Sequence, residues 1–408
     1  MNKMAKHTSY PKALQVLESS LKKAPETSVT RLARDLVDYA KRYDLKKHMS
    51  LGIDKRYLEM GIQADLENPP YFDHPNIKGA EWADNADTPL ESGEVWNKGR
   101  RSTLTGVVYD LDERNHPVNP YEERGLKGRG LLGAFGPNYT TDNGAVRIVP
   151  NKQGKKRLHV TGIIRKDNGK PAFAGGFAES KKQADGSYML DRETIIDTLT
   201  KEFFEEMVSG SIELRRDYAD RFEPEFTQMI EEMVKKRGGD PLSPERMREK
   251  HSQFLTELKY EQVEAQDPSF LHRLRDVISK GIECYAGPVL TSGRNTDNAW
   301  IETSLYWYLL GDEEWGYIKG DTPVFSYELS AGDDAAGVIL HDVRPELVAT
   351  ASASHGPMFV FLGASYLLYM QEQEHEIEPD VIEQFEEIRT FLRAALKNTH
   401  TPSIKHAL

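Results

Sequence analysis

From about residue 128 onward, the chain alternates short apolar runs, often bounded by glycine, with longer helical patterns. The short runs are typical of strands and lie at residues 158–164, 171–174, 285–290, 299–310 and 337–343. Two helical patterns, at residues 193–208 and 357–371, lie between them. Because strands and helices interleave without a regular βαβ repeat, the sequence predicts an α/β fold in which helices sandwich a mixed sheet.

Further patterns flank this region. Apolar residues recur at helical spacing after Thr27 or Ser28 and predict an amphipathic helix, with another before it over residues 11–21. Residues 68–119 are rich in Pro, Asp, Asn and Gly and predict loops. Residues 211–280 are charged and predict a helical insertion, and the pattern from Val381 to Ala395 predicts a helix packed on the outside. The predicted organisation is a helical and loop-rich region (1–118), a central domain (119–377) and a C-terminal helix (378–408).

Composition argues against several classes of protein. The chain carries 53 Lys and Arg against 65 Asp and Glu, a net charge of −12, which disfavours a general nucleic-acid binder. The longest apolar stretch, residues 359–370, is shorter than the roughly 20 residues that span a bilayer, so we expect no membrane helix. A single cysteine, Cys284, suits a reducing compartment, and the N-terminal segment shows neither a secretory nor a transit pattern. A cytoplasmic location is expected.

One predicted helix concentrates acidic residues. Glu202, Glu205 and Glu206 fall within about one quadrant of it, where like charges at i,i+4 cost ~0.2–0.5 kcal/mol per pair unless a cation relieves them. A solvated charged face is the other interpretation. The neighbouring segment 172–176 ends a predicted strand in Gly175-Gly176, where the backbone can approach a phosphate or offer a carbonyl to a metal.

These residues resemble the signature of the Nudix hydrolases, which reads Gly, five residues, Glu, seven residues, Arg-Glu-apolar-x-Glu-Glu. The matching positions here are Gly176, Glu193, Lys201, Glu202, Phe203, Glu205 and Glu206. Three features depart from it: residues 177–192 form a longer spacer, Lys201 replaces Arg, and Val208 stands where many members have Gly. Lysine lacks the planar fork of arginine, which leaves the orienting role of Glu193 open.

Four more blocks narrow the resemblance. Residues 128–138, 294–303 (Arg-Asn-Thr-Asp-Asn-Ala-Trp-Ile-Glu-Thr), 331–335 and 353–355 occur in the order found in ADP-ribose pyrophosphatases of the mitochondrial type. They are also similar to the related ADP-ribose-sensing domain of a TRP-type cation channel. The resemblance covers about residues 119–375 and implies a Nudix-type α/β/α sandwich.

The implied activity is hydrolysis of ADP-ribose to AMP and ribose 5-phosphate with Mg²⁺, although an all-oxygen site also suits Mn²⁺. The implied metal ligands are Glu202, Glu205 and Glu206, with the Gly175 carbonyl as an addition. One of these glutamates could activate the attacking water, and Asp333 and Asp334 lie in a loop where a general base would be useful, or form a solvated turn.

The expected substrate-binding residues each have a structural alternative. Arg294 is a plausible phosphate clamp or a surface arginine, and Asp297 and Asn298 suit ribose hydroxyls or an ordinary turn. Trp300 could stack on a ring, with a core position favoured. Phe135 stands where the family has Trp and could face adenine or the core. His355 corresponds to a ligand-contacting histidine of the family or has a structural role, and Ser354 belongs to the same matching block; Ser352 stands where the family has Tyr.

Two other functions stay open at this level. The enlarged loop after Gly176 borders the expected site and could adapt it to another nucleoside diphosphate derivative, such as a dinucleotide or a nucleotide sugar. A non-hydrolysing ADP-ribose-binding module is the alternative of a different class, although the retained acidic residues favour an enzyme. Nudix proteins often form dimers, and the helical additions offer surface for a homodimer.

Overall fold

The computed structural model describes most of the predicted elements. The described residues are 15–48, 53–77, 100–151, 153–178, 181–182, 188–213, 244–310 and 335–397, with the single residues 83, 228, 232 and 331. The helices are α1 (Gln15–Lys23), α2 (Ser28–His48), α3 (Lys55–Glu59), α4 (Arg192–Met207), α5 (Pro244–Gln266), α6 (Pro268–Ser279), α7 (Pro345–Thr350), α8 (His355–Glu372) and α9 (Pro379–Lys397).

A mixed sheet lies at the centre. The strands are β1 (Tyr71–Asp73), β2 (Lys127–Gly130), β3 (Gly136–Pro150), β4 (Lys156–Arg165), β5 (Pro171–Ala172), β6 (Ala174–Phe177), β7 (Lys181–Lys182), β8 (Tyr188–Met189), β9 (Ile282–Pro288), β10 (Ala299–Leu309) and β11 (Ala335–Asp342). The central order is β11-β4-β3-β10-β9, with β5 on β4 and β6 on β3. Strands β3 and β10 run parallel, and their neighbours in this sheet pair antiparallel.

Helices cover both faces of this sheet, as the side chains of β10 demonstrate. Leu305 and Trp307 pack into a core with α1, α2, α8 and α9. Tyr306 and Tyr308 point to the other face and pack with α4, α5 and α6. The predicted helix–sheet–helix sandwich is confirmed. Helix α2, from the N-terminal region, shares one hydrophobic core with the sheet.

Local signals explain where the site helix begins. The Asp191 side chain accepts a hydrogen bond from the Thr194 backbone N–H at 2.7 Å and caps α4. Leu199, Phe203 and Met207 are fully buried and hold the helix against the sheet. The predicted helix over 193–208 is therefore confirmed, and its carboxylates are rigidly placed.

The structure also adds what the patterns did not show. Strand β3 was not predicted, because its centre, Thr140-Thr141-Asp142-Asn143, is polar although Thr141, Asp142 and Asn143 are buried. Within the predicted 211–280 insertion, the structure describes helices α5 and α6, and most of residues 214–243 lie outside the described residues. The C-terminal helix packs Phe385 and Leu392 into the core, as its apolar pattern predicts. None of the helices in the described ranges has both the length and the apolar character that a bilayer crossing requires.

Candidate active site

Carboxylates of α4 converge on the glycine pair at the end of β6. The Gly175 backbone N–H donates to Glu206 Oε2 at 2.8 Å, and Glu206 is buried. A Cβ added at Gly176 would overlap the Glu202 carboxylate, so the absence of a side chain makes room for that group. Two of the three predicted metal ligands thus face the dipeptide that the sequence singled out.

The third glutamate has a different neighbour. Glu205 Oε1 lies 3.6 Å from Lys201 Nζ, four residues earlier on α4. Lys201, which stands where the family has Arg, therefore lies next to Glu205. Glu193 lies roughly 180° around the helix from Glu202 and pairs with Arg275 of α6, at 3.2 Å. A second helix, rather than Lys201, contacts Glu193.

Asp142 is a site residue that sequence reasoning missed. It pairs with Gly175 across β3 and β6, and a Cβ on Gly175 would lie 3.0 Å from Asp142 Oδ1. The Thr303 hydroxyl donates to Asp142 Oδ2 at 2.5 Å. Burial raises the pKa of Asp142 to about 7, against the opposing effects of Thr303 and Arg165. An acidic residue in a threonine-rich run was the only local signal for it.

His355, at the start of α8, reaches the same place. Its Nδ1 accepts a hydrogen bond from the Phe173 backbone N–H at 3.1 Å and lies 3.9 Å from Asp142 Oδ1. Burial, together with the charges of Arg165, Lys47 and Arg294, lowers the pKa of His355 to about 3. The ring is neutral at physiological pH, and because Nδ1 accepts, Nε2 carries the proton.

These oxygen donors fit a hard divalent cation. Within the described ranges, no group of three or more His, Cys, Asp or Glu side chains is arranged to hold a cation by itself. Mg²⁺ in phosphate chemistry is typically held by one or two carboxylates and by the substrate phosphates, so a partial protein site suits it. Asp333 and Asp334 lie outside the described residues, and their role stays a prediction.

Arg294 lies beside this site with its guanidinium carbon 5.5 Å from the centre of the Phe177 ring. Phe177 directly follows the glycine pair and is 49% exposed. No described carboxylate or carbonyl accepts a hydrogen bond from the Arg294 guanidinium. Burial and the charges of Arg165 and Arg56 lower its pKa to about 10, so it remains a cation at neutral pH.

The next residues of the block hold loops together. Asp297 accepts hydrogen bonds from the backbone N–H groups of Arg124, Gly125 and Leu126. Asn298 is buried; its Oδ1 accepts from the Gly128 N–H at 2.9 Å, and its amide donates to the Pro117 carbonyl at 2.9 Å. Both side chains are engaged by the 112–128 segment, which supports the turn alternative over the ribose-binding one.

Packing roles also dominate at the predicted aromatic ligands. Trp300 is fully buried between Tyr109 and Tyr121 and donates to Glu302 at 3.0 Å, in line with the favoured core position. Phe135 is 2% exposed and stacks on His116 at 4.1 Å, so it packs in the core rather than facing an open site.

Ser354 is buried as well. Its hydroxyl lies 2.9 Å from the Thr291 hydroxyl and donates to Asp44 of α2 at 3.4 Å. The residue links three segments of the chain next to His355, which is a packing role.

The amino-acid sequence is similar to those of three known proteins. It is 29% identical over 291 residues to the mitochondrial ADP-ribose pyrophosphatase of Rattus norvegicus, covering 68% of this chain and 63% of that protein. It is 27% identical over 292 residues to a protein of Caenorhabditis elegans that carries the name nudix hydrolase 6, covering 71% of this chain and 81% of that protein. Over 228 residues it is 27% identical to a transient receptor potential cation channel subfamily M member-like 2 of Nematostella vectensis, covering 54% of this chain and 10% of the channel.

No protein-family model matches the chain. Among solved structures, it is similar to a MutT/nudix family protein from Enterococcus faecalis, at 14% identity and a TM-score of 0.29, over 64% of this chain and 80% of that one. It is also similar to a NUDIX hydrolase from Alicyclobacillus acidocaldarius, at 12% identity and a TM-score of 0.26, over 64% and 96%. The sequence similarities, and not these structural similarities, show that the chain is related to Nudix hydrolases and to ADP-ribose pyrophosphatase. The cytoplasmic location stays a prediction.

Proposed function

We propose that the protein hydrolyses the pyrophosphate bond of ADP-ribose, with a divalent cation, to AMP and ribose 5-phosphate. The observation that carries the proposal is the convergence of Glu202 and Glu206 on the Gly175-Gly176 pair. This arrangement leaves little side-chain bulk beside two carboxylates, as the approach of a diphosphate requires. The relationship to the rat ADP-ribose pyrophosphatase supports the choice of substrate.

Glu202, Glu205 and Glu206, with the Gly175 carbonyl, are the groups that would hold the cation. Mg²⁺ suits such oxygen ligands, and Mn²⁺ is an alternative. When bound, the cation neutralises charge on the phosphate oxygens and lowers the pKa of a water molecule.

The chain's own residues supply charge and proton control beside that position. The planar guanidinium of Arg294 matches phosphate oxygens and offsets their charge. Neutral His355 offers Nε2–H as a hydrogen-bond donor. The pKa of Asp142, raised to about 7 by burial, suits a group that takes up or releases a proton near neutral pH. Asp142 therefore joins Asp333, Asp334 and the helix glutamates as a candidate general base.

The test is product analysis with ADP-ribose, with and without Mg²⁺, on the unaltered protein and on a Glu205→Gln, Glu206→Gln double variant. The matched control is Glu383→Gln, Glu386→Gln, which removes two charges from the exposed side of α9, where these carboxylates pair with Lys155 and Arg389. We expect metal-dependent AMP formation in the unaltered protein and in the control, and none in the double variant.

Two results would assign a different function. If ADP-ribose stays intact but raises the melting temperature, the non-hydrolysing binding module is correct, an alternative that the similarity to the Nematostella vectensis channel supports. If ADP-ribose is neither cleaved nor bound, a panel of dinucleotides and nucleotide sugars would identify another diphosphate substrate. Equal turnover in the double variant would place the active site elsewhere.

A further inference from the structure

Helix α3, from the N-terminal region, is fixed against the loop that carries Arg294. The Asp54 N–H donates to the Gly293 carbonyl at 3.1 Å, and a Cβ on Gly293 would lie 2.8 Å from Asp54 N. Tyr57 is fully buried; its hydroxyl donates to the Arg294 carbonyl at 2.9 Å and accepts from the Leu131 N–H at 3.0 Å. The position of α3 is therefore tied to that of Arg294.

This contact brings a second arginine toward the site. Arg56 Nε and Nη2 donate side-on to the Asp54 carboxylate, at 3.0 and 2.8 Å. Asp54 also accepts the Arg56 backbone N–H at 3.0 Å, which fixes the carboxylate that orients the guanidinium. The side-on pair leaves the Nη1 end of Arg56 outside the ion pair.

A third arginine comes from the end of β4. Arg165 Nε and Nη2 donate to the Asp167 carboxylate at 2.9 and 3.2 Å, the same side-on arrangement. The charges of Arg56 and Arg165 both act on Arg294, and those of Arg56 and Arg294 both act on Asp167. The three guanidinium groups, which we call the arginine cluster, thus lie within electrostatic reach of one another.

The arginine cluster brings three cationic side chains together in an acidic chain. Among the described residues, Asp54 and Asp167 each pair side-on with one guanidinium group, and the charge of Arg165 also acts on the buried Asp142. The Arg294 guanidinium lies against the Phe177 ring, and no described carboxylate pairs with it directly. Like charges that are brought together repel one another, and a bound anion offsets this repulsion. Planar guanidinium groups bind phosphate oxygens through two parallel hydrogen bonds.

We infer that Arg56 and Arg165 act together with Arg294 as an anion subsite that binds the diphosphate of the substrate. The inference rests on the proposed function, since that function names a diphosphate. It assigns a role to the N-terminal region: residues 53–60 form one wall of the substrate site. The carboxylates of Asp54 and Asp167 orient two of the guanidinium groups.

The test measures binding without metal, so that it does not depend on turnover. Dissociation constants for inorganic pyrophosphate and ADP-ribose are compared by calorimetry for the unaltered protein and for Arg56→Gln, Arg165→Gln and Arg294→Gln. Arg34→Gln is the matched control, because Arg34 lies on α2 and pairs with Glu26, which precedes that helix, at 3.0 Å. We expect each cluster variant to weaken binding of both ligands on the order of tenfold, with the control unchanged.

A conservative variant separates binding from folding. Arg56→Lys keeps the charge and loses the planar fork, so we expect pyrophosphate affinity between those of the unaltered protein and Arg56→Gln, at an unchanged melting temperature. Unchanged pyrophosphate affinity in Arg56→Gln and Arg165→Gln would overturn the inference, as would an absence of pyrophosphate binding by the unaltered protein. If the arginines control binding but ADP-ribose is not cleaved, the proposed function fails and the subsite stands.

Discussion

The two site glycines differ in what a methyl group would meet, and this gives a sharp test of the site. At Gly176, an added Cβ overlaps the Glu202 carboxylate, the far end of a flexible side chain. At Gly175, it overlaps the Thr141 backbone carbonyl on the neighbouring strand and lies 3.0 Å from Asp142 Cα. Neither glycine has the positive φ that would itself disfavour alanine.

The expected magnitudes follow from these contacts. In Gly176→Ala, the Glu202 side chain must rotate away, and an off-rotamer χ angle costs about 0.5–1.5 kcal/mol, while alanine restricts the unfolded chain and regains about 0.4–1 kcal/mol. The free energy of unfolding should therefore stay within about 1 kcal/mol of the unaltered protein. In Gly175→Ala, β6 must move away from β3, and overpacking of this kind costs about 1–3 kcal/mol or more.

Gly176→Ala should lose much more activity than stability. With Glu202 displaced from the glycine pair, we expect metal-dependent AMP formation by Gly176→Ala to fall roughly 10- to 100-fold, the range for a disturbed metal environment. Urea unfolding of both variants and AMP release by Gly176→Ala provide the comparison. Full activity in Gly176→Ala, or a Gly175→Ala variant as stable as the unaltered protein, would refute the geometric reasoning.

Three further predictions concern residues around the site. Burial lowers the pKa of His341 to about 4, so between about pH 6.5 and pH 4 the unfolded state binds a proton that the folded state does not. The free energy of unfolding therefore decreases as the pH is lowered through this range. His341→Gln should flatten the stability curve there by on the order of 3 kcal/mol at pH 4, and parallel curves from urea unfolding at a series of pH values would contradict this. Asp297→Ala removes the acceptor of the backbone N–H groups of residues 124–126. The free energy of unfolding, measured with urea, should fall by about 1–3 kcal/mol for each of these N–H groups that stays buried. A change in ADP-ribose affinity without this loss of stability would favour the ribose-binding role instead. Tyr57→Phe removes the hydrogen bond to the Arg294 carbonyl, so KM for ADP-ribose should rise severalfold at a nearly unchanged kcat, and an unchanged KM would dissociate α3 from substrate binding.

Local pattern was sufficient for the helix that carries the carboxylates. The spacing of Glu202, Glu205 and Glu206, and the apolar stripe beside them, predicted both the helix and its buried face. The Gly175-Gly176 signal also identified the strand end that receives two of these carboxylates. The helix, its buried face and the glycine pair each depend on residues that are close together in the chain, so they can be predicted from the sequence pattern.

Side-chain roles in the Arg-Asn-Thr-Asp-Asn-Ala-Trp block were harder to predict. The sequence allowed ribose contacts or a turn for Asp297 and Asn298, and the structure shows both side chains bonded to the 112–128 segment. Asp142 escaped notice because polar residues conceal the strand that holds it. A polar side chain in a sequence does not reveal whether its partner is a ligand or a distant backbone.

By itself, the sequence determined the sandwich of helices on a mixed sheet, the acidic face of α4 and the relationship to Nudix hydrolases. Only the tertiary structure decided that Asp142 and His355 meet beside Gly175, and that α3 brings Arg56 toward Arg294. Tyr57 and Arg294 are 237 positions apart, and their contact depends on how two surfaces pack. Periodicity encodes which face of an element is buried, whereas the identity of the group across that interface is set by the packing of the whole chain.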